Sequence, residues 1–79
     1  MEYAEMIKCR ILELAKQNGI SLNRLALMSG LQHSTISNIM CGASKNPSIK
    51  TIHRIANALC MTPAEFLDFP AMNDWEFED

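Results

Sequence analysis

The chain has 79 residues, 48 % of them apolar, and a formal net charge of −2. That length bounds it to one small domain with a modest core, and that composition suits a folded globule rather than a disordered chain. No run approaches the roughly 18 apolar residues of a membrane span, and the start MEYAEMIKCR has acids where a signal peptide has a basic and then an apolar segment, so the expectation is a cytoplasmic protein with no membrane association.

No β-type alternation stands out; helical periodicity recurs between turn signals, which predicts an all-α fold. The first helix is expected from about Glu2 to Asn18, with Ile7, Ile11 and Leu14 as its core stripe and Gly19 as its stop. Ser21 caps a second helix over Leu22 to Ser29, with Leu25, Ala26 and Met28 inward and Gly30 ending it. Leu31 bridges into a third, about Gln32 to Cys41, closed by Gly42. ASKNPS is a loop, because a proline disfavours helix at the residue before it. Ser48 caps a fourth helix, about Ile49 to Cys60, with Ile52, Ile55, Ala56 and Leu59 inward. TPAE starts a short fifth helix that ends near Phe69–Pro70: Thr62 caps, Pro63 sits in the first turn, and Glu65 follows the cap by three residues. Five helices over residues 1–69 then precede an acidic tail with two aromatics, residues 70–79.

The chain's Cys9, Cys41 and Cys60 are odd in number and not closely paired, so neither a disulfide framework nor a zinc site is expected; they read as buried or half-buried free thiols. No cofactor is implied. Ser, His and Asp occur, but no G-x-S-x-G elbow does, and so small a domain has little room for a closed pocket; no enzyme is expected. His53 reads as a surface residue, and the six methionines read as flexible core filler.

The net charge hides a partition. Residues 21–61 carry Arg24, Lys45, Lys50 and Arg54 and no acid, whereas residues 62–79 carry Glu65, Asp68, Asp74, Glu76, Glu78 and Asp79 and no base. The middle therefore works in a locally positive field. Within it lies GLQHSTISNIMCG, residues 30–42. Ile36, Ile39 and Met40 share one side of a helix there. His33, Ser34, Ser37, Asn38 and Cys41 share the other, within an arc of about 140° at roughly 100° per residue. This polar face is either solvated surface or a reading surface.

Only SGL joins the second and third helices, too little for antiparallel packing, so the two must cross steeply, as in a helix-turn-helix. Leu25, Ala26, Gly30, Leu31, Ile36 and Ile39 fit that unit, with NGIS before it and PSIKTIHRIANAL after it at matching offsets. In these features the chain resembles the phage-repressor (Cro/cI-type, XRE) helix-turn-helix family over roughly residues 7–69. The resemblance implies a compact five-helix, lambda-repressor-like DNA-binding domain whose third helix enters the major groove. By position it implies base contacts from Gln32, His33, Ser34, Ser37 and Asn38. It places Ser21, Lys45, Asn46, Ser48 and Lys50 near the DNA phosphates, chemistry that helix starts, hydroxyls and lysines suit.

There are departures from the family pattern. Leu22 stands where many relatives carry a Gln used on a phosphate, and His33 also stands where many carry Gln. A long basic residue common in relatives is absent at Asn38 and Cys41. Where relatives join an Arg late in the first helix to a Glu late in the third, this chain has Ala15 and Met40, an apolar replacement of a whole ion pair.

Phe66, Leu67, Phe69, Trp75 and Phe77 are dense enough to form an apolar patch for a second subunit, since exposed aromatics at that density pack on something. The resemblance implies dimerisation near the fifth helix. The reading is a sequence-specific regulator of transcription, a repressor that binds a pseudo-palindromic double-stranded DNA operator as a homodimer, with no small-molecule effector evident. The alternative is a protein-interaction module on the same scaffold, antitoxin-like or polymerase-associated. The acid-free segment 21–61 favours the first, and the uncharged reading face favours the second.

Overall fold

The helix starts are built from side chains that satisfy backbone donors. In the computed structural model, which describes residues 3–77, Ser21, Ser48 and Thr62 are extended residues whose hydroxyls accept from the N–H groups of Arg24, Thr51 and Glu65. Each bond pairs a first-turn donor that a helix leaves without an internal partner. The Glu65 carboxylate also accepts from the Thr62 N–H at 2.9 Å, which completes the capping box expected from TPAE. The elements are α1 (Tyr3–Gln17), α2 (Leu22–Ser29), α3 (His33–Cys41), α4 (Ile49–Ala58), α5 (Pro63–Leu67) and α6 (Pro70–Asn73), and no strand occurs among the described residues.

The fold is all-α, with six helices among the described residues where five were expected. The additional one is a single turn within the tail. Phe69 precedes Pro70 and is extended (φ −144°, ψ 153°), as the proline ring demands, and Pro70 then opens α6 without a missing hydrogen bond. Other ends shift by a residue or two. The expected start at Glu2 lies outside the described residues. Gln32 is the extended cap of α3 rather than part of it, and α4 stops at Ala58, two residues short of Cys60, which takes a left-handed φ of 59°.

Gly30 terminates α2 in the left-handed conformation (φ 67°), and the Leu31 N–H returns to the Ala26 carbonyl at 3.0 Å. Only glycine adopts that φ without strain. A Cβ there would also lie 3.2 Å from the Arg54 guanidinium, which rests over this turn.

The core joins every helix from α1 to α5. Ile7, Ile11, Leu14 and Ala15 from α1 meet Leu25, Ala26, Ile36, Ile39, Ile52, Ile55, Ala56, Leu59 and Phe66. Met40 packs against this cluster while Ala15 is buried in it, so apolar packing does stand at the two positions where relatives carry an ion pair. Met28 corrects an expectation: it is 45 % exposed, and Ser29 is buried in its stead. At about 100° per residue, Leu25, Ser29 and Ala26 fall within one inward arc, and Met28 lies roughly 110° from its centre. Cys9, Cys41 and Cys60 are exposed rather than buried: Cys9 and Cys41 sit off the core stripes of α1 and α3, and Cys60 lies in the turn after α4.

A polar tie locks α5 to α1. The guanidinium of Arg10 donates to the Phe66 carbonyl at 2.8 Å and the Glu65 carbonyl at 3.0 Å, and lies 5.1 Å from the centre of the Phe69 ring. It thereby pairs the Phe66 carbonyl that a short helix leaves open, adds a second donor to the Glu65 carbonyl that the Asp68 N–H already bonds, and places a cation at the negative end of α5. Its 3.4 Å contact with Glu13 is a half-exposed pair of little energetic weight. Replacing Arg10 with Met keeps the stem and removes the donors, so urea denaturation should show a loss of about 1.5–3 kcal/mol, the range for hydrogen bonds from charged groups. A loss near zero would mean that water serves these carbonyls equally well.

The tail folds back on the domain. Tyr3 meets Trp75 edge to face (centroids 5.3 Å apart, planes at 88°) and stacks with Phe77 at 6.1 Å and 23°. Met72 packs against the core cluster.

Candidate nucleic-acid interface

Burial divides α3 as its periodicity requires. Ile36 and Ile39 are buried, whereas Gln32, His33, Ser34, Ser37 and Asn38 are all exposed. The nine residues of α3 span roughly 14 Å at 1.5 Å per residue, enough to cross a major groove about 12 Å wide. His33, Ser34, Ser37 and Asn38 thus lie on the exposed side of α3, and Gln32 is exposed at its cap.

His33 is exposed and already has partners within the protein. Its Nε2 lies 2.6 Å from Asn23 Oδ1, and its Nδ1 lies 3.5 Å from the Ser37 hydroxyl. An amide oxygen only accepts, so in this network Nε2 carries the proton and donates, while Nδ1 accepts from Ser37. Both ring nitrogens are engaged within the protein, and the ring becomes a brace between α2 and α3. Asn23 was not singled out from the sequence. Its partner lies ten residues away, and only the steep joining of the two helices brings them together. Leu22, which cannot replace the Gln of relatives, is followed at once by an amide that pairs with the residue heading α3.

Asn38 differs. Its backbone carbonyl accepts from the Ser44 N–H at 3.0 Å, which pins the loop after α3. Among the described residues no protein group holds its side-chain amide, which stays exposed with donor and acceptor outward.

The residues expected at the DNA backbone, Ser21, Lys45, Asn46, Ser48 and Lys50, are all exposed. Two of their hydroxyls are already in use. Ser21 Oγ caps α2, and Ser48 Oγ both accepts from the Thr51 N–H at 3.1 Å and donates to the Thr51 hydroxyl at 3.0 Å. What these two positions can offer an anion is the positive end of a helix rather than a side-chain bond. Lys45 and Lys50 flank the start of α4. Arg54 rests at the α2–α3 turn.

The expected subunit patch does not form one surface. Phe66 is fully buried in the chain's own core and has no surface to give. Phe69 lines a cleft with Met6, Cys9 and Arg10, whereas Leu67 lines another with Tyr3, Ile49 and Met72. Trp75 and Phe77 are engaged with Tyr3. No three His, Cys, Asp or Glu among the described residues group as a metal site, and none of the described helices is long and apolar enough to cross a membrane.

Residues 10–72 match the family model of the Cro/C1-type helix-turn-helix DNA-binding domain. Among solved structures, the prophage Lp1 protein 11 is similar with a TM-score of 0.86 and 33 % identity, over 95 % of this chain and 100 % of that one. The N-terminal DNA-binding domain of SinR from Bacillus subtilis is similar with a TM-score of 0.71 and 33 % identity, over 81 % of this chain and 93 % of that one. Among curated proteins, none matches the chain. Matched over residues 10–72, well over half of its length, the chain belongs to the Cro/C1-type helix-turn-helix DNA-binding family.

Proposed function

We propose that the protein is a sequence-specific repressor of transcription that binds a pseudo-palindromic operator as a homodimer. The observation that carries this reading is the α3 face: His33, Ser34, Ser37 and Asn38, four exposed hydrogen-bonding residues on a helix anchored by Ile36 and Ile39, with Gln32 at its cap, in a segment of the chain with no acid. Asn38, Ser34 and Ser37 read base edges, with Gln32 at the helix start. His33 acts mainly as a positioning residue: its bond to Asn23 Oδ1 turns the Asn23 amide protons outward, toward a phosphate beside α2. Lys45, Asn46 and Lys50, with the capped starts at Ser21 and Ser48, complete the backbone contacts. Leu67 and Phe69, partly exposed in two separate clefts around α5, are the residues proposed to contact the second subunit.

Selection of bound duplexes from a random pool tests the reading. The expected product is a two-fold symmetric site with half-sites about 34–36 Å apart. About 3–4 phosphate contacts per subunit should give a slope of log affinity against log salt near −3 per subunit. If no sequence is enriched at low salt, the regulator reading is wrong and the scaffold serves a protein partner.

A further inference from the structure

We propose that the acidic tail is an autoinhibitory latch that occupies the approach to the DNA-backbone loop between α3 and α4. The proposal rests on the DNA-binding reading above and concerns its regulation.

Tyr3 is the post to which the latch is fastened. Its ring holds Trp75 edge to face and Phe77 in a stack, and its hydroxyl donates to the Met72 sulfur at 3.4 Å. The same ring borders the loop: Tyr3, Phe77, Lys45 and Asn46 line one cleft. An aromatic clamp at the start of α1 therefore brings Phe77 beside two residues assigned to phosphates. What it brings is strongly acidic. Asp74 and Glu76 are exposed and flank Trp75, and Glu76 immediately precedes Phe77, with Cα atoms about 3.8 Å apart. Glu78 and Asp79 follow in sequence, outside the described residues, and residues 62–79 hold no base to offset these charges. A docked tail presents carboxylates to the loop that a DNA phosphate would otherwise meet.

The docking is also weak enough to be released. Phe77 is 74 % exposed even when stacked, so little apolar surface is lost when it leaves. The Trp75 Nε1 proton is buried without an acceptor among the described residues, a cost that release into water removes. A duplex presents one charge per about 1.7 Å of axis and competes strongly for the loop. Coupling of this kind is reciprocal: if the tail opposes DNA, DNA must release the tail.

Binding of a labelled random-sequence duplex at low salt, followed by anisotropy, separates a latch from diffuse charge repulsion. Phe77→Ala leaves every charge in place and removes the clamp contact that lies beside Lys45 and Asn46, which weakens the docking of the tail's end. It should tighten binding about fivefold or more, within the usual range of such couplings, and the gain should shrink as salt rises. Neutralising the tail (Asp74→Asn, Glu76→Gln, Glu78→Gln and Asp79→Asn together) should tighten binding at least as much. Trp75 is the chain's single tryptophan, so in the unaltered protein its emission should move to the red on saturation with DNA. Thermal melting of Phe77→Ala checks that the fold is retained. If the unaltered protein binds and Phe77→Ala binds no tighter, while neutralisation alone helps, the tail acts at a distance and the latch is refuted. A tryptophan signal that DNA leaves unmoved refutes it as well. If the unaltered protein and both variants all fail to bind, the DNA-binding reading itself falls and the latch with it.

Discussion

Phe66→Ala should lower the unfolding free energy by about 3–5 kcal/mol, the cost of truncating a fully buried phenylalanine. Phe66 is 0 % exposed and is the largest of the fully buried side chains. Its ring closes the core beneath α5, and its carbonyl receives the Arg10 guanidinium at 2.8 Å. The ring and the tie support one another, because the ring fixes where the carbonyl lies and Arg10 fixes the end of the helix. A small domain is stable by only about 5–15 kcal/mol, so the loss would be about a fifth of the total or more. At about 4–8 °C per kcal/mol, thermal unfolding followed by circular dichroism should show a fall well beyond 10 °C. The loss should not depend on protein concentration. A concentration-dependent loss would return Phe66 to a subunit interface.

The largest functional effect is expected from Asn38→Ala. Its amide is the one group within α3 itself able to pair bidentately with adenine, Gln32 lying at the cap. Removing it should weaken the preferred site by about 1–3 kcal/mol and relax sequence choice at one position in each half-site. Lys50→Ala and Asn23→Ala act on phosphates under the same reading and should weaken all sequences alike, with Lys50→Ala also flattening the salt slope. Competition binding against a panel of single-base variants separates the two behaviours. If Asn38→Ala weakens every duplex equally, Asn38 holds the backbone, and base reading falls to Ser34 and Ser37.

Local signals carried much of the fold. Ser21, Ser48 and Thr62 are caps because a short hydroxyl side chain in extended backbone reaches the donors of the next turn, and that geometry spans three residues. The inward faces of α1, α3 and α4 followed from helical period alone, as did the outward face of α3. The error at Met28 has the same locality. In an eight-residue helix the period locates the inward direction loosely, and a buried serine weakens the apolar signal that would have corrected it. The exposed cysteines mislead similarly, because cysteine is buried by statistics rather than by any local requirement.

Helix positions, the family pattern and the partition of charge are thus determined by the sequence alone, because each depends on residue order over a turn or two. Contacts between distant parts of the chain are decided by tertiary structure. Asn23 meets His33 only because two short helices cross, and that contact ties the start of α3 to α2. Arg10 finds the end of α5 across 56 residues. Phe66 enters the core while Phe69 and Phe77 stay nearer the surface, although all three are aromatics within twelve residues of one another. The tail is acidic by composition, but that it lies against Tyr3 beside Lys45 is a matter of packing: side-chain partners are chosen by proximity in space, which a one-dimensional pattern does not contain.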